Sequence, residues 1–256
     1  MLALVERTAR HRALLTALAP SLPAPARVVA SIADVSPGPV VGCVLANEVL
    51  DNLPFHRVRR GPDGPVEVRV GLVDGELALV EAAPSSPGIA AAAERLPEGR
   101  EALVPTGAYG LLADVATVLE RGYVVLIDYA ARADGADVHG YRGHRPIADV
   151  LARPGATDVT AGVDFHDLAR YGERCGFRSW GCVTQRDLLL ALGYREEMER
   201  LLARQGALLN EGRGAEAARM FAERSRAGLL VDAGALGGFR VLCLGKGVSS
   251  PPAPWA

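Results

Sequence analysis

The stretch VLANEVLDNLPFHRV, residues 44–58, decides how this chain is read. An apolar run of strand character stops at a polar and acidic cluster, Asn47, Glu48 and Asp51, just before Leu53-Pro54. Open α/β sheets bind their ligands at the carboxyl ends of the strands. Two carboxylates so close together at such an end would face a ligand, against a real desolvation penalty. The plainer alternative is a strand followed by a capped helical turn with Asp51 as a solvated decoration, a pattern common at helix starts. Spacing alone leaves both readings open.

Working outward, the upstream segments repeat the strand-then-polar pattern. Residues 2–5 are apolar and end at Glu6. Thr8 opens a helix that places Leu14, Leu15 and Leu18 on one side and stops at Pro20. Residues 27–32 form a β-rich run ending near Asp34, and residues 40–46 form the next, which delivers Asn47 and Glu48. Such alternation predicts a parallel sheet with crossover helices.

Downstream, residues 55–82 break the pattern. Residues 66–70 and 77–80 alternate apolar and polar and are separated by Asp74-Gly75, a strong hairpin signal, with Asp63-Gly64 just upstream, so an antiparallel β-hairpin insertion is expected there. Ser86-Pro87 reads as a helix start. A further helix after Thr106 carries Leu111, Leu112, Val115, Val118 and Leu119, with Gly122 as its stop. Residues 123–127 are an apolar strand ended by Asp128 and Tyr129. Residues 130–160 read as a long loop, of a length that usually has a functional reason. Asp164 caps a helix, residues 177–183 form a short strand, and a capping box at Thr184 to Asp187 opens a helical insertion over 184–232. A last strand at 238–244 completes a single domain over 1–247, and the Pro-rich tail 248–256 is expected to be disordered.

The totals narrow the function classes. A chain of 256 residues, 49% hydrophobic and 23% charged, builds one large domain with a substantial core. A net charge of −2 offers no broad basic surface, which argues against a nucleic-acid partner. No apolar run reaches the ~18 residues of a membrane span, and no leader pattern appears, so neither export nor membrane insertion is indicated. Cys43, Cys175, Cys182 and Cys243 form no C-x-x-C pair; three lie in runs that read as buried, which suggests reduced core thiols and a cytoplasmic location. The histidines lack metal-ligand spacing, so no metal site is expected. Ser31, Ser36 and Ser179 lack a nucleophile elbow.

Six blocks occur together and in order: ANE-x-x-D-x-L-P at 46–54, Ile127-Asp128-Tyr129, PG-x-x-D-x-T-x-x-VDF at 154–165, Thr184-Gln185, LLALG at 189–193 and GGFRVL at 237–242. In these the chain resembles the MidA-like family of S-adenosylmethionine-dependent methyltransferases, which includes a mitochondrial enzyme acting on an arginine of a respiratory complex I subunit. The resemblance spans nearly the whole chain. It implies a class I, Rossmann-like, mostly parallel sheet with one antiparallel strand, and S-adenosyl-L-methionine as cofactor. Glu6 matches the acid that binds the cofactor ribose, Asp34 would lie near the adenine, and Ala46 and Asn47 would border the cofactor. Glu48 and Asp51 are the catalytic candidates, with Asn47 holding the strand end. Asp128, Tyr129 and His144 are the candidates for binding substrate, whereas Asp158, Thr160 and Asp164 are expected to brace the loop and cap the helix.

A guanidinium acceptor suits paired acids, because carboxylates grip its planar fork and orient one nitrogen. The expected partner is therefore an arginine-containing protein substrate, and a homodimer is compatible with this. The alternatives are a catalytically impaired methyltransferase fold serving as a protein-binding module, or a small-molecule methyltransferase. One departure from the family stands out: no strand and Gly-rich turn precede Glu6, so the sequence reads as if it starts at the second strand, from a start placed too far downstream or from truncation. Without a strand between them, the neighbouring strands either close against each other or leave a gap.

Overall fold

The computed structural model describes every residue except 37, 133–135, 137, 144, 253, 254 and 256. The first part of the chain gives β1 (Leu2–Val5), α1 (Ala9–Leu18), β2 (Ala26–Val29) and β3 (Val40–Asn47). An antiparallel unit follows, made of β4 (His56–Gly61), β5 (Gly64–Val73), β6 (Glu76–Ala82), α2 (Pro87–Glu94) and β7 (Glu101–Val104). Next come α3 (Thr106–Val118), β8 (Leu119–Asp128), β9 (Val138–Arg142), β10 (Arg145–Ile147), β11 (Asp158–Ala161), α4 (Phe165–Arg174) and β12 (Arg178–Thr184). The chain ends with α5 (Gln185–Ala191), α6 (Tyr194–Asn210), α7 (Gly214–Gly228) and β13 (Arg240–Lys246).

The central sheet has the order β12-β13-β8-β3. β3 runs parallel to β8, and β13 is antiparallel to both of its neighbours, so it is the reversed strand. Ala46, Val124, Leu126, Leu242 and Leu244 alternate onto one face, where Leu112, Val115 and Leu168 of α3 and α4 bury them. Tyr109 of α3 clasps α4 by donating to Asp167 and by stacking on Tyr171 at 4.2 Å. Local chemistry sets the helix starts as the sequence indicates: Ser86 accepts from Ile89 N, Asp164 from His166 N and Asp167 N, and Thr184 from Asp187 N.

Gly122 does not stop a helix. α3 passes straight into β8, and Gly122 lies inside that strand at φ +142°, where an added Cβ would sit 1.8 Å from the Gly42 carbonyl oxygen. Glycine is there because two backbones touch.

Residues 56–104 form a second sheet of order β6-β5-β4-β7, so the antiparallel unit extends past residue 82 to take in α2 and β7. Its turn at Asp74-Gly75 has both residues at positive φ (51° and 86°), the type I′ geometry that matches strand twist. Val58, Ile89 and Ala93 give it a small core of its own. Buried Glu67 pins it, accepting from Arg69 (3.0 Å) and Ser85 N (2.6 Å) and bonding His56 Nδ1 (2.8 Å). Burial alone would raise this carboxyl, but the bonds from Arg69, His56 and Ser85 outweigh it and bring the pKa to about 2.

β1 and β2 pair in parallel as a separate two-stranded sheet. Among the described residues no pairing joins β1 to β3. β3 leaves Val41 60% and Leu45 66% exposed on the side away from α3. That exposure also corrects the thiol expectation: Cys43 and Cys182 are exposed and Cys175 is half-buried, and Cys243 alone is buried. Residues 130–160 are not a plain loop, since they hold a three-stranded sheet of order β10-β9-β11. In the tail, Ser250 O accepts from the Tyr123 hydroxyl at 2.9 Å, and the Trp255 amide donates to Pro252 O. Among the described residues no helix is long and apolar enough to cross a membrane.

Candidate active site at the tips of two parallel strands

At the end of β3 the backbone turns on Glu48, which adopts φ +50° and donates its amide to Ile127 O of β8 at 2.9 Å. Left-handed backbone is unfavourable for a residue with a Cβ and persists where the surroundings impose it. Asn47 Nδ2 donates to the Glu48 carboxylate at 3.3 Å. A 3-10 turn, Leu50–Asn52, then folds back over the tip of β8.

Asp128 holds that turn in place. It is fully buried, and one carboxylate oxygen accepts from Leu50 N (2.8 Å) and Asp51 N (3.2 Å) while the other accepts from Tyr129 N (2.9 Å). Burial raises its pKa, opposed by these backbone bonds. Asp51, 4% exposed, accepts from Asn52 Nδ2 at 2.7 Å. Its pKa rises to about 6, first through burial and then through the charges of Asp128, Glu48 and Asp158. Tyr129 packs on Phe239 at 4.1 Å, and burial followed by the Glu48 charge raises its pKa.

The structure thus brings together Asn47, Glu48, Asp51, Asp128 and Tyr129. Ala46 directly beneath them points its side chain into the core. Among the described residues Glu6 and Asp34 share no hydrogen bond with this cluster; Glu6 follows β1 and Asp34 lies beyond β2. Glu6 ends β1, and its Oε1 accepts from Thr8 N at 2.6 Å, the main cause of its lowered pKa. Asp34 accepts from Ser31 Oγ at 2.7 Å in a 3-10 turn, Ile32–Asp34, that packs on α3. His144 lies outside the described residues. Asp164 caps α4 as expected, but Asp158 does not brace the segment: its exposed carboxylate accepts no hydrogen bond among the described residues. The sequence block around Asp158 was visible, yet only the fold shows that β11 packs against the turn bearing Asp51. Among the described residues no cluster of His, Cys, Asp and Glu is arranged to hold a metal ion.

Carboxylates crowded at neighbouring strand tips repel one another, and a cation relieves that repulsion. A mostly parallel sheet with one reversed strand, helices over its face and acids at the strand tips is the class I methyltransferase type of α/β fold. The chain belongs to the MidA-like family: residues 3–183 match the family described as "Putative S-adenosyl-L-methionine-dependent methyltransferase". It is 30% identical over 180 residues to "Protein arginine methyltransferase NDUFAF7, mitochondrial" of Danio rerio, a match covering 68% of this chain and 42% of that protein. The human protein of that name is 30% identical over 166 residues, 62% of this chain and 36% of the human one. The chain therefore spans less than half the length of the curated relatives it matches. Two solved proteins of Burkholderia thailandensis share the fold. One, uncharacterized, superposes with a TM-score of 0.80 at 25% identity, covering 99% of this chain and 68% of its own. The other, bound to S-adenosyl-homocysteine, gives 0.79 at 26% identity, covering 99% and 66%.

Proposed function

We propose that this chain acts in S-adenosyl-L-methionine-dependent methyl transfer to a protein arginine guanidinium. One observation supports it above the others: Glu48, Asp51 and Asp128 converge at adjoining tips of β3 and β8, beside Tyr129. The arginine methyltransferase relatives and the neighbour bound to S-adenosyl-homocysteine favour the same chemistry.

A guanidinium stays protonated in water and is a poor nucleophile. Glu48, bonded by Asn47, grips the planar fork and aims one nitrogen. Asp51, with a pKa of about 6, is suited to take the proton that nitrogen releases. Asp128 positions both by fixing the turn. The cofactor would supply an electrophilic methyl on a sulfonium. Glu6 and Asp34, whose carboxylates accept from Thr8 N and Ser31 Oγ, would hold its ribose hydroxyls and adenine amine.

Titration calorimetry with the cofactor and transfer of labelled methyl to an arginine peptide test the reading. Glu48→Gln should abolish transfer and leave cofactor affinity within about twofold, because Glu48 is assigned to the acceptor and the change conserves its shape. Undiminished turnover would remove Glu48 from the acceptor site. A second reading, a polypeptide-binding module, draws on the open edge of β3 with exposed Val41 and Leu45. Calorimetry showing no cofactor binding by this chain would favour that reading.

A further inference from the structure

Methyl transfer at the acid cluster leaves the GGFRVL block at 237–242 without a part. Its Arg240 begins β13 directly opposite Asp128, at the same end of the sheet as the cluster. Side chains alternate along a strand, so Arg240 shares a face with Leu242 and Leu244, which α3 and α4 bury. The helices do not cover Arg240 itself, which is exposed. There the face opens into a cavity of about 500 Å³, lined by the start of α4, the edge strand β12 and the residues just past Tyr129.

A β-bulge shapes the outer wall of this cavity. Ser179 pairs with Leu244 and Cys182 with Leu242, and one extra residue between them brings both side chains onto the cavity's face. In a regular strand, residues three apart would face opposite ways. Among the described residues neither the Ser179 hydroxyl nor the Arg240 guanidinium makes a hydrogen bond or ion pair, so two donors line the cavity unengaged. Asp164, the lining carboxylate among the described residues, is occupied by the amides of His166 and Asp167. Arg132 adds a second guanidinium.

We propose that this cavity takes an acidic side chain of the same polypeptide whose arginine enters the acid cluster, with Arg240 gripping its carboxylate. This rests on the arginine-acceptor reading above and extends it to the sequence around the arginine. A guanidinium holds a carboxylate through two parallel N–H donors, whereas a side-chain amide of the same shape offers one acceptor oxygen and no charge. β3 and β13 flank β8, so Glu48 and Arg240 lie two strand spacings apart, about 10 Å, the span of roughly three extended residues. One extended segment therefore meets both signs of charge. By themselves, Glu48, Asp51 and Asp128 would repel a peptide carrying extra acids, so a preference for such a peptide is diagnostic.

Calorimetry with two blocked peptides, Glu-Gly-Gly-Arg-Gly-Gly-Glu and its glutamine counterpart, tests the assignment. Wild type should bind the acidic peptide about tenfold more tightly. Arg240→Gln should erase that preference while holding affinity for the glutamine peptide within about twofold, and Arg240→Lys should restore part of it. Arg240 is exposed, so an unchanged melting temperature is the expected folding control. Equal binding of the two peptides by wild type, or a preference that survives Arg240→Gln, would overturn the acidic-side-chain site and leave the arginine-acceptor reading standing. Citrulline in place of the arginine exposes the other failure. If wild type binds that acidic peptide undiminished, the arginine-acceptor reading falls and takes the proposal with it.

Discussion

Asp51 sits where its charge is least welcome. Its carboxyl titrates near about 6 in the folded chain against an ordinary 3.8, so the folded state binds the proton more tightly than the unfolded one. Stability is therefore present at low pH and is lost as pH rises from about 4 through 6, by on the order of 3 kcal/mol. Asp51→Asn removes that loss: its melting temperature should overtake that of wild type across this window and stay above it at pH 7, even as arginine-peptide binding falls. Asp128 behaves differently. Asp128→Ala would strand the amides of Leu50, Asp51 and Tyr129 in the interior, and urea unfolding should show a loss of about 3 kcal/mol or more. Both acids were visible in the sequence because polar residues interrupt apolar strands. Their roles were not, because the bond from Asp128 reaches residues 77 and 78 positions away.

Local signals specify elements well and pairings poorly. The Asp74-Gly75 turn and the caps at Ser86, Asp164 and Thr184 are short-range chemistry, and each forms where the residues indicate. β7 joins the edge of β4 across a much longer separation, with no local mark of its partner, so the antiparallel unit reads shorter than it is. Gly122 shows the ambiguity of a single residue type. A glycine after a helical pattern reads as a stop, yet here it lets β8 approach Gly42 of β3. Gly122→Ala would force its Cβ into the Gly42 carbonyl, at 1.8 Å, and also strain a φ of +142°. Neither backbone can yield without breaking the parallel pair that aligns Asn47 with Ile127. The loss should exceed about 3 kcal/mol in chemical denaturation. Gly42→Ala should be far milder, as a Cβ there meets nothing within 4 Å.

At the scale of the molecule, cohesion is uneven. β8 lies between β3 and β13, and its alternate side chains are buried under α3 and α4. The β1–β2 pair has only Val29 buried, and among the described residues it shares no strand pairing with the central sheet. Two strands alone are marginal in water, so local opening should come easily. Native-state hydrogen exchange should find β8 and β13 amides opening only with global unfolding. The amides of β1 and β2 should exchange at least about a hundredfold faster, a gap of roughly 3 kcal/mol. This bears on function because Glu6 follows β1 of that loose pair while Glu48 and Asp51 ride on the firm central sheet. A ligand that binds only the ordered pair must slow its exchange by mass action. Saturating S-adenosyl-homocysteine should therefore protect the amides of Glu6 and Thr8, and those of β2, while leaving β8 unchanged. Protection confined to the tips of β3 and β8 would move the ligand to the acid cluster and leave Glu6 without a part in holding it.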